Sequence, residues 1–282
     1  MRHTRRQFLA AGALAAGAIA TSRARADKVD GSSRFGGFRL GLQSYSLRAM
    51  DRDAAVKGIH DLGLVAVEFY SRHLPPESPP AEIDALKAKL ASLGIKMMGH
   101  GVNAFGKDHA QNRRWFELAK RAGIRNISAD PAEDSFDSLD KLVAEYNIRI
   151  AIHNHGPGAR YDRVADVLTA IKGRHPLIGA CADLGHYIRS NEDPVRAIHL
   201  FEGRLFGVHL KDFAERKAKA AGTILGKGQL DVVGAFRALR EVKFPHDGCL
   251  SVEYEEHPDN PMPDLKQCVA IAAEAAVRSS KG

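Results

Sequence analysis

The sequence predicts a single (β/α)8 barrel, the TIM-barrel class of α/β fold, and three observations carry that expectation. First, eight short β-rich runs, at 39–44, 65–70, 95–100, 126–129, 148–154, 177–183, 205–210 and 250–254, are separated by longer amphipathic stretches. Second, three of those stretches end in a glycine followed at once by the next strand, as Leu62-Gly63-Leu64, Leu93-Gly94-Ile95 and Ala122-Gly123-Ile124. A glycine C-cap with so short a return leaves each strand parallel to the last. Third, no shift of composition divides residues 38–282, and no G-x-G-x-x-G follows the first strand, which argues against an open dinucleotide-binding sheet.

Taken in chain order, the N-terminus comes first. Thr4-Arg5-Arg6-Gln7-Phe8-Leu9 sets paired arginines before an apolar stretch running to Ala20, and Ala24-Arg25-Ala26 supplies an A-x-A cleavage signal. Residues 1–26 therefore read as a twin-arginine signal peptide, with the export machinery as a partner and a periplasmic or secreted destination. The stretch is short and rich in Ala and Gly, so a permanent membrane helix is the weaker reading. Arg2, Arg5, Arg6, Arg23 and Arg25 supply five of the formal +7 charges, leaving about +2 after cleavage. The basic balance is thus a targeting feature, and no Lys/Arg run interleaved with aromatics remains to suggest nucleic acid. Cys181, Cys249 and Cys268 cannot all pair and form no C-x-x-C, which fits small buried hydrophobes.

A Gly/Ser-rich linker, 27–37, precedes the barrel, 38–282. Helical periodicity then falls at 53–62, 81–93, 109–122, 135–146, 160–171, 194–200, 231–242 and 263–277. At 282 residues, 44% hydrophobic and 27% charged, the chain is long enough for one large core. Glu192-Asp193-Pro194 reads as the start of a helix. Gly226 to Asp231 reads equally as a loop covering a substrate or as a turn entering a helix with Asp231 near its N-cap.

The chemistry of such a barrel sits at the C-terminal ends of its strands, and there the polar residues gather. Strand one ends Gln43-Ser44-Tyr45, strand two carries Glu68, and strand three ends His100-Gly101-Val102-Asn103. Strand five ends His153-Asn154-His155, strand six Asp183-Leu184-Gly185-His186, strand seven His209-Leu210-Lys211-Asp212, and strand eight carries Glu253. Charged groups that converge in a barrel mouth need a partner, because a dry unpaired charge costs several kcal/mol. A divalent metal supplies one. Alternate side chains of a strand share a face, so His153 and His155 point together, and His153, Asp183, His209 and Glu253 form a candidate ligand set. Two imidazoles and two carboxylates suit Mn, Co, Fe or Zn better than Ca or Mg.

Beyond the first 26 residues the chain resembles the sugar phosphate isomerase/epimerase superfamily, the xylose isomerase-like or AP-endonuclease-2-type TIM barrels. The resemblance rests on Ala182-Asp183-Leu184-Gly185-His186, Gly207-Val208-His209-Leu210-Lys211-Asp212, Gly226-Lys227-Gly228-Gln229-Leu230-Asp231 and Ser251-Val252-Glu253-Tyr254, in that order. It implies a metal shell of Glu, Asp, His and Glu on strands five to eight. Asp183, His209 and Glu253 match the last three, and His153 stands where the first glutamate is expected. It further implies an isomerase or epimerase acting on a sugar or keto-sugar by proton abstraction beside a metal-bound carbonyl. Only Glu253 survives of the two acid–base glutamates, so a lyase or hydratase acting on a keto-sugar or 3-keto-glycoside is the alternative.

In either case Glu253 or Glu68 takes the proton, and His186 or Lys211 supports the oxyanion or protonates the leaving group. Gln43, His100, Asn103 and His155 are the expected substrate contacts, and Asp212 pairs with Lys211 or with solvent. A metal-cluster endonuclease would need a further Asp-x-His and a basic groove, and a periplasmic sugar-binding protein without turnover leaves the ligand-like set unexplained. The oligomeric state, a homo-oligomer included, stays open.

Overall fold

The computed structural model describes residues 32–281, so the twin-arginine motif, the apolar stretch and the cleavage signal lie outside the described residues. Eight parallel strands close into a barrel in the order β1-β10-β7-β6-β5-β4-β3-β2. They are β1 (Leu40–Gln43), β2 (Ala66–Phe69), β3 (Lys96–Phe105), β4 (Asn126–Pro131), β5 (Arg149–His153), β6 (Ile178–Asp183), β7 (Leu205–Leu210) and β10 (Cys249–Val252). The helices are α1 (Arg52–Asp61), α2 (Pro80–Ser92), α3 (His109–Ala122), α4 (Phe136–Tyr146), α5 (Val164–Ile171), α6 (Leu184–Arg189), α7 (Pro194–Leu200), α8 (Val232–Glu241) and α9 (Met262–Arg278). The (β/α)8 expectation holds. Gly94 and Gly123 take φ of +70° and +77°, the left-handed conformation that ends α2 and α3 at little cost only for glycine.

Two features escape the simple alternation. Asp183 ends β6 and at once caps α6, its Oδ1 accepting the His186 N–H at 2.8 Å. A two-stranded hairpin, β8 (Asp212–Phe213) with β9 (Gly222–Thr223), rises beyond β7. In addition, β3 runs five residues past its expected end, with a register shift against β4 between His100 and Asn103.

The main core is the shell of Leu, Ile, Val and Phe side chains between barrel and helices, including Leu42, Phe69, Ile127, Ile152 and Leu239. Separate small clusters, Ala66 with Met98 and Cys249, and Ala151 with Cys181 and Phe206, form apart from it. The three cysteines are buried and unpaired, as small hydrophobes.

The stretch read as a linker is packed where it is described. Ser32–Phe35 forms a turn of 3-10 helix, Arg34 donates to the Leu62 carbonyl at 3.2 Å, and Phe35 is fully buried in the main core. Truncation of a buried Phe costs about 3–5 kcal/mol. Phe35→Ala is therefore expected to lower the urea midpoint by that equivalent, and a midpoint equal to the parent's would contradict a docked N-terminal turn.

Candidate metal centre

Register builds the site. Asp183 on β6 lies opposite His209 on β7, and Ser251 on β10 lies opposite the same His209, so Glu253, two residues on, rises beside it. His153 ends β5, next to β6. Asn154 points the other way and ties the two strand ends together: its Nδ2 donates to the Asp183 carbonyl at 3.0 Å and its Oδ1 accepts the Asp183 N–H at 2.8 Å. This pairing explains the alternation His153-Asn154-His155. The histidines face the cavity, and the asparagine locks β5 to β6.

One donor atom from each of His153, Asp183, His209 and Glu253 lies within 4.8 Å of the others, and all four residues are buried. His153 Nε2 is 3.1 Å from His209 Nδ1, which is 3.0 Å from Glu253 Oε2 and 3.8 Å from Asp183 Oδ2. Neither Asp183 Oδ2 nor Glu253 Oε2 accepts a hydrogen bond of good geometry. Their counter-charge is the Lys211 ammonium, at 3.1 Å and 2.9 Å, which also meets Glu255 Oε1 at 2.8 Å. Two buried carboxylate oxygens without directed donors, converging with two imidazoles, fit a divalent cation, and the mixed N/O set suits Mn, Co, Fe or Zn.

Beneath the set lies a second layer. Glu68 is fully buried and accepts from His209 Nε2 at 2.9 Å, from Ser251 Oγ at 2.9 Å, from Cys249 Sγ at 3.2 Å and from Ser128 Oγ. A carboxylate can only accept, so it holds the His209 proton on Nε2 and turns Nδ1 toward the donor set. Glycines make room for this column: a Cβ on Gly99 would stand 2.6 Å from Cys249 Sγ, and one on Gly207 2.8 Å from Cys181 Sγ.

The electrostatics follow from burial and neighbours. Burial opposes ionisation of Glu68, but the His209 charge and hydrogen bond outweigh it and hold the carboxyl at about 2. Burial likewise opposes the charged forms of Asp183 and Glu253. The charged Lys211 holds Asp183 well below the usual carboxylate range, and Lys211 and His209 do the same for Glu253. In turn Asp183, Glu253 and Glu255 overcome burial and raise Lys211, while Glu68 and Glu253 help to raise His209. Burial pushes His153 down to about 4 and His186 to about 3, so both are neutral.

A cavity of about 430 Å³ opens over the set, walled by His153, His155, His186, Lys211 and Glu253, with Gln43 among its other lining residues. The expected base Glu68 and the expected contacts His100 and Asn103 are placed differently. Glu68 lies under His209 and does not line the cavity, so it is a support for His209 and not a base. On β3 a Cβ at Gly99 would meet Glu68 inside the barrel, so His100, next along the pleat, turns outward. It bonds the Leu74 carbonyl at 2.8 Å, packs on Trp115 of α3 and engages Asn103 at 2.9 Å; neither His100 nor Asn103 lines the cavity. Gln43 does line it, but its amide is engaged, accepting from the Tyr45 N–H and donating to the Gly101 carbonyl, both at 3.1 Å.

Asp212 pairs neither with Lys211 nor with solvent. It is buried, and its carboxylate accepts five backbone N–H groups, from Phe213, Gly226, Gly228, Gln229 and Leu230. The Gly226–Leu230 stretch is thereby pinned, and Asp231 caps α8. In the sequence Tyr45 takes a place at the end of strand one but no role, and neither Tyr70 nor Glu255 of the cavity wall is singled out. The only available signal was their position, one to three residues past strand ends.

The family model for the xylose isomerase-like TIM barrel matches residues 56–274. Among curated proteins, the chain is 27% identical over 218 residues to a 3-oxo-isoapionate decarboxylase of Pectobacterium atrosepticum, covering 71% of this chain and 74% of that one. It is 26% identical over 231 residues to an inosose dehydratase of Clostridium botulinum, covering 70% and 72%. Among solved structures, a 3-keto-D-glucoside 4-epimerase from E. coli superposes with a TM-score of 0.66 at 16% identity, over 83% of this chain and 98% of that one. At that identity the likeness concerns the fold.

Two outcomes test this geometry. Glu68→Gln keeps an acceptor for Nε2–H but removes the charge, and is expected to weaken divalent-metal affinity ~10–100-fold by calorimetry; parental affinity would contradict the supporting role. Second, His100, His153 and His186 are neutral in the fold down to about 4, 4 and 3, whereas in the unfolded chain they titrate near about 6.5. As pH falls through that window the unfolded state binds more protons, so stability must fall. Urea midpoints of the chelated protein are expected to drop steadily from about pH 6.5 to about 4, and a flat profile would contradict the burial of neutral imidazoles.

Proposed function

The chain belongs to the xylose isomerase-like TIM-barrel family, and on that premise we propose that it is a divalent-metal-dependent enzyme that removes a proton from the carbon beside a carbonyl of a sugar or keto-sugar. The observation that carries this reading is the convergence of His153, Asp183, His209 and Glu253 at the floor of the cavity. A cation bound there supplies the positive charge that polarises a carbonyl and acidifies the adjacent C–H.

The chain's own groups do the rest. Glu253, ionised at the cavity wall, accepts the proton on a carboxylate oxygen while the C–H electron pair moves toward the carbonyl oxygen. Lys211 Nζ, charged and held between acidic side chains, supports the negative charge that develops there. His155, on the same face as His153, and His186 are placed to orient hydroxyl groups.

Return of a proton to the former carbonyl carbon, with the proton of the adjacent hydroxyl passed to the former carbonyl oxygen, completes an isomerisation, and return to the same carbon from the other face completes an epimerisation. Loss of a β-substituent, protonated as it leaves, completes an elimination. The last outcome is favoured by one observation: His153 stands where the resemblance expects a glutamate, so Glu253 has no carboxylate counterpart in the donor set of β5. The curated relative named for dehydration supports the same reading. Twin-arginine residues Arg5 and Arg6 support an exported location for the mature enzyme.

Incubation of the metal-loaded protein with a panel of keto-sugars in deuterium oxide tests the shared first step. Deuterium is expected at the carbon next to the carbonyl by NMR, lost on chelation and reduced about 10²–10⁴-fold by Glu253→Gln. Exchange that persists without metal, or its absence across the panel, would contradict the proposal.

A further inference from the structure

The Lys211 ammonium draws on the same oxygens as the donor set would offer an ion. Its Nζ stands 3.1 Å from Asp183 Oδ2 and 2.9 Å from Glu253 Oε2, the two carboxylate oxygens that accept no well-aligned hydrogen bond. Paired buried carboxylates need a cation against them, and an ammonium and a divalent ion on the same oxygens repel each other. Lys211 is itself buried, so an ammonium displaced from those oxygens needs another anion within reach.

Glu255 supplies it. Its Oε1 lies 2.8 Å from the same Nζ. Tyr254, between Glu253 and Glu255, turns away and donates its hydroxyl to Asp264 Oδ2 at 2.6 Å, while both glutamates line the one cavity. The Glu255 backbone is fixed from across the mouth, where Arg48 Nη2 donates to its carbonyl at 2.5 Å. The Glu253 side chain is 6% exposed and that of Glu255 39%, so a shift from one to the other carries the charge outward without leaving it unpaired. Glycine clears space beside the lysine stem: a Cβ at Gly185 would stand 2.7 Å from Lys211 Cγ. A flexible four-carbon stem can then re-aim its ammonium.

We propose that Lys211 has two seats: one on Asp183 and Glu253, where it competes with a divalent ion for the same two oxygens, and one on Glu255 alone, which receives the ammonium when the ion binds. Glu255 is a positioning residue in this scheme, acting through Lys211. The inference rests on the proposed function for the ion itself, and it places Lys211 at the cavity wall, on Glu255, when substrate is met.

Titration calorimetry of the full-length protein with manganese(II) chloride, at fixed pH and ionic strength, reads the competition. Lys211→Met is expected to bind about tenfold tighter than the parent and Glu255→Gln about fivefold weaker, as for coupled neighbouring charges. In the Lys211→Met background Glu255→Gln is expected to cost less than about twofold, since no ammonium is left to seat. Affinity of Lys211→Met equal to or below the parent's overturns the inference, as does a Glu255→Gln loss of equal size with and without Lys211, the mark of a lost charge alone. A crystal structure of the manganese-loaded parent reads the same point without a substitution: Nζ is expected on Glu255 and beyond hydrogen-bond distance of Asp183 Oδ2 and Glu253 Oε2, and Nζ still bonded to both overturns the inference. No binding by the parent or any variant overturns it together with the proposed function. Coupled binding without metal-dependent deuterium exchange leaves the two seats standing and removes the proposed function alone.

Discussion

The buried contact between Glu68 and His209 is the constraint on which the rest of the site depends. A carboxylate with no solvent exposure survives only when it is fully hydrogen-bonded and paired with a cation, and Glu68 meets both conditions through His209, Ser251, Cys249 and Ser128. The barrel interior is built around that requirement. Gly99 and Gly207 clear the space beside Cys249 and Cys181, and the β7 register then sets His209 level with Asp183 and Ser251. With Nε2 committed below, Nδ1 is the nitrogen left for the donor set, and it must give up the proton it carries in the metal-free fold to serve there. Removal of the lower pairing would free the ring to turn and would scatter the ligand geometry.

Above this column the charges balance locally. Lys211 lies between Asp183, Glu253 and Glu255, so a single ammonium answers acidic groups of the donor set and of the cavity rim. Asp212, the very next residue, faces away and collects five backbone N–H groups, which fastens the Gly226–Leu230 stretch beyond the hairpin. Adjacent residues at the end of β7 thus do opposite work, one serving the cavity and one the loop behind it. Phe213 continues the arrangement by packing its ring 5.9 Å from His186.

Much of the fold was legible because the barrel repeats. The alternation of β runs with amphipathic helices, and the glycine returns at Gly63, Gly94 and Gly123, are local signals that survive without tertiary information. Leu184–Arg189 was hidden because Asp183 is both the last strand residue and a helix cap, and the hairpin because its two-residue strands have no periodicity to read. The donor set was visible as polar residues at consecutive strand ends. Depth along a strand was not: Glu68 sits one layer lower than Glu253 although both look alike in sequence. His100 shows the other limit, since register shifts on both sides of β3, between Val67 and Glu68 and between His100 and Asn103, decide which way its neighbours face. Tyr45 could not be singled out, because a tyrosine in a short 3-10 turn is ordinary until the cavity beside it is known.

The central claim is that Glu68 orients His209 so that Nδ1, with His153, Asp183 and Glu253, binds one divalent ion. Anomalous diffraction at the absorption edge of Mn or Zn, from crystals of the loaded protein, tests it most directly. The account predicts one peak bounded by these four residues, with His209 Nδ1 toward the ion and Nε2 still on Glu68. A peak elsewhere, no peak at saturating metal, or an ion met by Nε2 of His209 would contradict it.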